Sequence, residues 1–184
     1  MLNEKLLEEV NEQRLLGVII RDDLKWYSNT ELIVKKAYKR MWMLHKFYDF
    51  QLPIEEMVNV YILYIRSILE SSAVVWQSSL TNYEQIELEC VQKVALRIIL
   101  KTDYESYEQD LTLTGLQTLD ERQTALFRKF VLNCVKNEKT SNMFPLNPSD
   151  VDTRNHEKYH VQAARTDRLK DSAIPYMQRL LNDL

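Results

Sequence analysis

Glycine and proline are scarce in this sequence. Two glycines and four prolines are spread over 184 residues. A β-sandwich or a β-barrel needs many tight turns, which draw on glycine and proline, so the composition excludes these folds. Long helices joined by short connections suit such a composition. We therefore expect a mainly α-helical bundle.

Cysteine is also rare, and the net charge is small. Cys90 and Cys134 both fall on helical patterns, and we expect buried free thiols rather than a disulfide. The 24 basic and 27 acidic residues give a net charge of −3, so only a local cluster could favour nucleic acid. The N-terminus does not resemble a signal peptide, and the apolar runs look too short to cross a membrane. We expect an intracellular protein, nuclear or cytoplasmic, that is neither secreted nor membrane-bound.

The most apolar part of the sequence is the stretch 53–100, which reads as two helices, 53–76 and 82–100. At about 100° per residue, the first helix gathers its larger side chains on one face. That face comprises Met57, Tyr61, Tyr64, Ile65, Ile68, Ser72, Val75 and Trp76. The second helix is apolar nearly all round, apart from a stripe of Glu89, Lys93 and Arg97. We expect this pair, with Tyr61, Tyr64 and Trp76 inside, to form the core.

Helix starts are marked by the capping-box pattern, Ser or Thr followed three residues later by Glu. The boxes are Ser28 with Glu31, Thr81 with Glu84, and Thr118 with Glu121. They predict helices over about 29–50, 82–100 and 118–138. Shorter helices are expected at 106–111 and 176–181. The domain organisation we predict is a strand or hairpin at 1–27, a helical bundle at 28–138, and a linker with a helical tail at 139–184.

A short β-branched stretch at 14–20 predicts one strand near the N-terminus. Either it pairs with residues 1–14 as a hairpin, or its sheet partners lie outside this chain. Asp22 and Asp23 follow it as adjacent carboxylates. They fit a turn better than a magnesium site, because no other carboxylate is positioned to join them. We find no constellation for a nucleophile, a metal or a cofactor, and expect no enzyme activity from this chain alone.

The helix at 29–50 separates its charges sharply. Its cations share about 140° of arc, and its apolar residues lie mostly opposite. Such a row can follow phosphates through sequence-independent, salt-sensitive contacts, although a merely solvated face remains an alternative. The candidate nucleic-acid-binding residues are Lys35, Lys36, Lys39, Arg40 and Lys46, with Lys93, Arg97, Lys101, Arg165, Arg168 and Lys170 elsewhere. Lys93 and Arg97 could instead pair with Glu89.

Ordered sequence blocks carry a resemblance to a known family. The blocks are 16–20 with Asp23, Leu24 and Trp26; Ile33, Lys36 and Ala37; 65–70 with Val75, Trp76, Ser79 and Leu80; Leu88, Glu89, 91–93 and 95–99; Gly115, Leu116, Thr118, Leu119, Glu121, Arg122, Phe130 and Cys134; Arg165, Thr166, Arg168, Lys170, 172–175, Leu181 and Asn182. Their order resembles the C-terminal region of reverse transcriptases from jockey-like non-LTR retrotransposons.

The resemblance implies the edge of the polymerase palm, the thumb and the helical region after it. In reverse transcriptases the thumb lies along the template–primer duplex, so the expected partners are RNA or an RNA–DNA duplex and the remainder of the palm. The family's Ala-Asp-Asp motif is absent, which implies that the chain is not catalytic alone. The aromatic and glycine common near Ser71 and Ser72, and the arginine at Gln123, are also absent. The alternative is a helical protein–protein interaction module or an inert relic of a transposable element.

Overall fold

The computed structural model describes residues 9–147 and 158–183. These residues form a mainly α-helical structure with a two-stranded hairpin near the N-terminus, as predicted. The part of the predicted N-terminal segment before residue 9, and the linker residues 148–157, lie outside the described residues.

The hairpin pairs β1 (Glu12–Leu15) with β2 (Val18–Arg21) in antiparallel register. Leu16 and Gly17 connect the strands with φ angles of 49° and 92°, and two positive φ values are typical of the tightest hairpin turns. The glycine therefore marks a turn that divides the stretch 14–20 between two strands, and the hairpin alternative is confirmed. The pairing partner of β2 is β1, so the strand is not without a partner inside the chain.

The first long helix, α1, covers Tyr27–Asp49. Trp26 precedes it as the N-cap and makes no side-chain cap bond, so the capping box predicted at Ser28 and Glu31 is wrong. The Ser28 hydroxyl instead donates to a carboxylate oxygen of Glu12 on β1 at 2.5 Å. The Ser28 hydroxyl is therefore engaged by the hairpin, and α1 begins at Tyr27, two residues earlier than the sequence predicts.

The apolar stretch after α1 is helical but interrupted. It contains α2 (Ile54–Val60), a π-helical turn (Tyr61–Arg66), α3 (Ser67–Leu69) and α4 (Ala73–Trp76). Ser72, with a φ of 56°, takes the left-handed conformation just before α4. The single helix predicted over 53–76 is therefore wrong, because a turn divides it.

The π-helical turn also changes which side chains are buried. It closes hydrogen bonds over five residues and so contains more residues per turn than an α-helix. Side chains four apart consequently stay aligned along this stretch. The buried apolar residues spaced four apart are Met57, Tyr61, Ile65, Leu69 and Ala73, and Val58 and Trp76 are buried beside them. Tyr64 and Val75 were expected in the core and are instead 47% and 43% exposed.

By length and composition, Ile54–Ser79 could cross a membrane, which the sequence analysis did not expect. Its mean hydropathy is 1.3, and 28% of the apolar window is buried. The ion pair between Arg66 and Glu70, at 3.2 Å, lies within it, as the i, i+4 spacing predicts.

The later helices largely follow their sequence signals. α5 (Asn82–Leu100) and α7 (Leu119–Lys136) both begin with the predicted capping boxes, which confirms these two starts. Between them, α6 (Tyr107–Thr114) ends at Gly115. The φ of Gly115 is 67°, a left-handed value that glycine adopts readily at the end of a helix because it has no Cβ atom. α8 (Asp167–Lys170) and α9 (Ala173–Asn182) close the described chain.

α1 and α5 run parallel at the centre of the structure. Tyr38 on α1 lies near Glu87 and Cys90, while the Lys101 ammonium at the end of α5 lies 3.2 Å from the centre of the Tyr48 ring. The main core spreads from the hairpin to the start of α7. A second cluster joins the tail to α7 and consists of Phe127, Val131, Cys134, Phe144, Met177, Leu180 and Leu181.

A buried polar network crosses the main core. The fully buried Gln92 accepts a hydrogen bond from the Tyr61 hydroxyl at 2.7 Å. Its amide nitrogen donates to the Tyr107 hydroxyl and to the Gln117 carbonyl, both at 2.9 Å. Burial raises the pKa of Tyr61 well above its ordinary value. The network fixes the relation of α5 to the π-helical turn and α6, because each buried polar group finds a partner in a different element.

Candidate nucleic-acid interface

The solvent side of α1 carries a stripe of cations. Lys35, Lys39 and Lys46 lie within about 40° of arc on a helical projection, and Trp42 lies about 20° to one side of them. The opposite side of the helix is buried through Ile33, Ala37, Met41 and Leu44. Packing of that apolar side against α5 and the π-helical turn therefore directs the cations outward.

Ion pairs divide these cations into two groups. Lys35 pairs with Glu31 at 2.6 Å, and this bond raises the pKa of the ammonium group, while Lys46 lies 3.8 Å from Asp49. Lys36 and Lys39 have no ion-pair partner among the residues that the structure describes. They are the cations of α1 most free to bind an external anion.

Lys36 and Lys39 border a groove of about 640 Å³. α1 forms one wall, and the hairpin turn with α3 and Ser71 forms the other. The lining comprises Gly17, Val18, Asn29, Ile33, Lys36, Lys39, Arg40, Trp42, Ser67, Ile68 and Ser71. None of these lining residues is acidic, so the groove presents cations and hydroxyls to a ligand.

Asn29 is the most buried polar residue in this lining, with 1% of its surface exposed. Its side-chain oxygen accepts from the Ile19 backbone at 3.1 Å, which holds the hairpin against α1. Its side-chain nitrogen has no hydrogen-bond partner within the described part of the chain. A buried donor without a partner is unfavourable by about 1–3 kcal/mol, which is uncommon in folded proteins.

Arg40 has a structural bond as well as a place in the groove. Its guanidinium donates to the Tyr64 carbonyl at 2.7 Å, and the Ser67 hydroxyl donates to the Leu63 carbonyl at 2.6 Å. Both carbonyls belong to the π-helical turn, where the ordinary helical pairing is interrupted. Arg40 therefore joins α1 to this turn, and its charge remains exposed beside Lys36 and Lys39.

The cations on α5 are brought to a different place from the groove. Lys93 lies over the Tyr107 ring at 4.9 Å and Arg97 over the Tyr104 ring at 5.2 Å, as Lys101 does over Tyr48. These cation–π contacts place the three charges against aromatic rings of the same molecule.

The predicted pairing of Glu89 with the α5 cations is wrong. Its carboxylate accepts from the Tyr107 hydroxyl and from the Leu119 backbone, the latter at 3.0 Å to its nearer oxygen.

Of the three cations of the tail, Arg168 reaches the base of the hairpin. Arg168 donates to the backbone carbonyl of Asp23, while Arg165 and Lys170 are exposed. None of the three lines the groove beside α1. Asp23 itself is held by Arg21, whose hydrogen bond lowers the pKa of that carboxyl to about 2. The turn predicted for Asp22 and Asp23 is confirmed, and it anchors the tail.

Trp42 was not among the candidate residues predicted from the sequence, because aromatics at helical spacing more often belong to a core. Its indole is 62% exposed, although it lies in the middle of the longest helix. The signal was present in the spacing, because Trp42 falls three residues after Lys39 and opposite the apolar side. Asn29 carried no comparable signal, since its burial depends on the hairpin.

No group of three or more potential metal ligands is present among the described residues. Cys90 and Cys134 are both free. His156, which with His160 has the i, i+4 spacing of a ligand pair, lies outside the described residues.

Comparison with protein-family models, with curated proteins and with solved structures finds no match for this chain. The resemblance carried by the sequence blocks therefore stays a prediction.

Proposed function

We propose that this chain is the thumb and following helical region of a non-LTR retrotransposon reverse transcriptase. On its own it is non-catalytic and binds RNA or an RNA–DNA duplex through the phosphate backbone. The observation that supports this most is the arrangement of Lys36 and Lys39, which lack ion-pair partners among the described residues and border a groove lined without carboxylates.

Backbone binding fits the chemistry of this surface. Lysine is a flexible point charge, and its contacts with phosphate are indifferent to base sequence. The molecule is net acidic, so the surrounding charge opposes a polyanion rather than attracting it. We therefore expect weak binding that depends on a few local contacts and falls steeply with salt.

The hairpin supports a second contact in the same proposal. All four residues of β1 are exposed, and its outer edge has no neighbouring strand among the described elements. An open edge of this kind can accept another strand. We propose the remainder of the polymerase palm as the partner at this edge, with the protein acting in the nucleus or cytoplasm.

Charge reversal tests the nucleic-acid part of the proposal. The variant carries Lys36→Glu and Lys39→Glu, and filter binding measures its affinity for an RNA–DNA duplex. The double reversal replaces two attractive contacts by repulsive ones, so affinity should fall roughly tenfold or more at low salt.

The matched control carries Lys129→Glu and Lys136→Glu on α7, both exposed and with the same change in net charge. It should bind almost as well as the unchanged protein. Equal losses in the two variants would show that only overall charge matters and would refute this interface.

A protein–protein interaction module is the second candidate function, and exposed apolar side chains favour it. Leu63 and Tyr64 are 66% and 47% exposed on neighbouring positions of the π-helical turn. If these apolar side chains bind a partner protein, the protein should still be captured at high salt. The substitutions Lys36→Glu and Lys39→Glu should not change the amount captured. Loss of capture on raising the salt concentration would contradict it.

A further inference from the structure

Trp42 stands beside the cations that border the groove and shares its lining. We propose that this groove is a nucleotide subsite for single-stranded nucleic acid, with an unpaired base stacked on the Trp42 indole and the adjoining phosphates held by Lys36 and Lys39. The inference rests on the proposed function and adds to it a preference for unpaired bases.

The exposure of the three tryptophans sets Trp42 apart. Trp76 is fully buried, and Trp26 is partly buried against the main core, whereas 62% of Trp42 faces solvent. A single exposed apolar side chain is ordinary on a protein surface. Trp42 differs in its neighbours, because Lys39 precedes it by three residues and Lys46 follows it by four on the same side of α1.

An aromatic face among cations is the combination by which proteins bind single strands. The cations follow the sugar–phosphate backbone, and the ring stacks on whichever base is available. A base inside a duplex cannot offer its face to a side chain on a helix surface unless it is unstacked. The preference for single strands therefore follows from the indole, and the affinity for phosphate follows from the lysines.

The rest of the groove suits the polar part of a nucleotide. Its volume of about 640 Å³ lies in the range of pockets that hold small ligands. Ser71 contributes a hydroxyl on the wall facing α1, whereas the Ser67 hydroxyl already donates to the Leu63 carbonyl. No acidic side chain in the lining would repel a phosphate. The buried amide of Asn29 leaves a donor without a partner in the same lining. Donors predominate there, which matches the oxygens of phosphate and sugar.

Two oligomers of equal length separate stacking from charge. One is single-stranded oligoadenylate, and the other is the same sugar–phosphate chain without bases. Oligoadenylate should quench the tryptophan fluorescence and bind about five to a hundred times more tightly than the abasic chain, as expected for one base stacked on an aromatic ring. Trp42→Ala should remove both the quenching and the difference.

Control variants keep the subsite distinct from the proposed function. Tyr83→Ala removes another exposed aromatic side chain, on α5, and should change neither affinity. Equal binding of the two oligomers, or no effect of Trp42→Ala, would overturn the subsite. If Lys36→Glu and Lys39→Glu still abolished binding in that case, the backbone interface would stand alone. If they also had no effect, both proposals would fail.

Discussion

Replacing Gln92 by leucine should destabilise the protein by removing the centre of the buried polar network. The two side chains have similar size, so the change does little to packing and mainly deletes hydrogen bonds. Gln92 has no exposed surface, and it bonds to the Tyr61 hydroxyl, the Tyr107 hydroxyl and the Gln117 carbonyl. The consequence depends on whether each partner finds a substitute.

Tyr61 is affected most, because it is also completely buried and its hydroxyl has no other hydrogen bond among the described residues. Tyr107 keeps its bond to Glu89, and Gln117 is itself an exposed residue. A buried hydroxyl left without a partner is unfavourable by about 1–3 kcal/mol. We therefore expect Gln92→Leu to lower the free energy of unfolding by about 2 kcal/mol, and Tm by about 4–8 °C.

Urea unfolding followed by tryptophan fluorescence measures this change, since the buried Trp76 reports on the same core. Gln85→Leu on the exposed side of α5 is the matched control and should be nearly neutral. Combining Gln92→Leu with Tyr61→Phe removes both partners and should recover most of the loss. A single variant as stable as Gln85→Leu, or a double variant less stable than Gln92→Leu, would refute the reasoning.

Three further predictions concern local features. Thr81→Ala should lower the free energy of unfolding by about 1 kcal/mol in urea denaturation, because Thr81 caps α5, whereas Ser28→Ala should cost less since Ser28 caps nothing. Gly115→Ala should destabilise by about 1–2 kcal/mol and Gly115→Asn by less in the same assay, because a left-handed φ of 67° is strained for alanine and no neighbour crowds the site. In an alkaline titration followed by phenolate absorbance, Tyr61 and Tyr107 should stay neutral as long as the protein is folded, because burial raises the pKa of both. Their contribution to the free energy of unfolding is present below pH 10 and is lost as the pH rises above it.

The capping boxes show where sequence reasoning succeeds and where it fails. Thr81 and Thr118 start α5 and α7 as predicted, because the bonds of a capping box join residues only three apart. Ser28 has the same local pattern, but its hydroxyl bonds to Glu12, sixteen residues away on the hairpin. A local pattern cannot reveal that competition.

The prediction of a single helix over 53–76 failed for a different reason. Its apolar composition predicted burial correctly, but a uniform 100° per residue placed Tyr64 inside. The π-helical turn shifts the phase, and Arg40 from α1 supplies the donor that one of its carbonyls needs. The exposed position of Tyr64 therefore goes with the π-helical turn, which a uniform periodicity does not represent.

The candidate site was partly predictable. The angular positions of Lys35, Lys36 and Lys39 follow from helical geometry alone, and the structure places them on the solvent side of α1. The ion pair of Lys35 also follows from the sequence, because Glu31 lies four residues before it on the same side of the helix. The groove could not be predicted from the sequence. Its second wall comes from the hairpin turn and from Ser67 to Ser71, and no sequence pattern indicates that these segments lie beside α1.

The salt dependence of binding tests the backbone interface on α1 most directly. The logarithm of affinity for an RNA–DNA duplex should fall linearly with the logarithm of salt concentration. Lys36→Gln with Lys39→Gln removes two phosphate contacts and should make the slope shallower by about 1.4–1.8. Lys129→Gln with Lys136→Gln should leave the slope unchanged. A slope that is the same in all three proteins would contradict the interface.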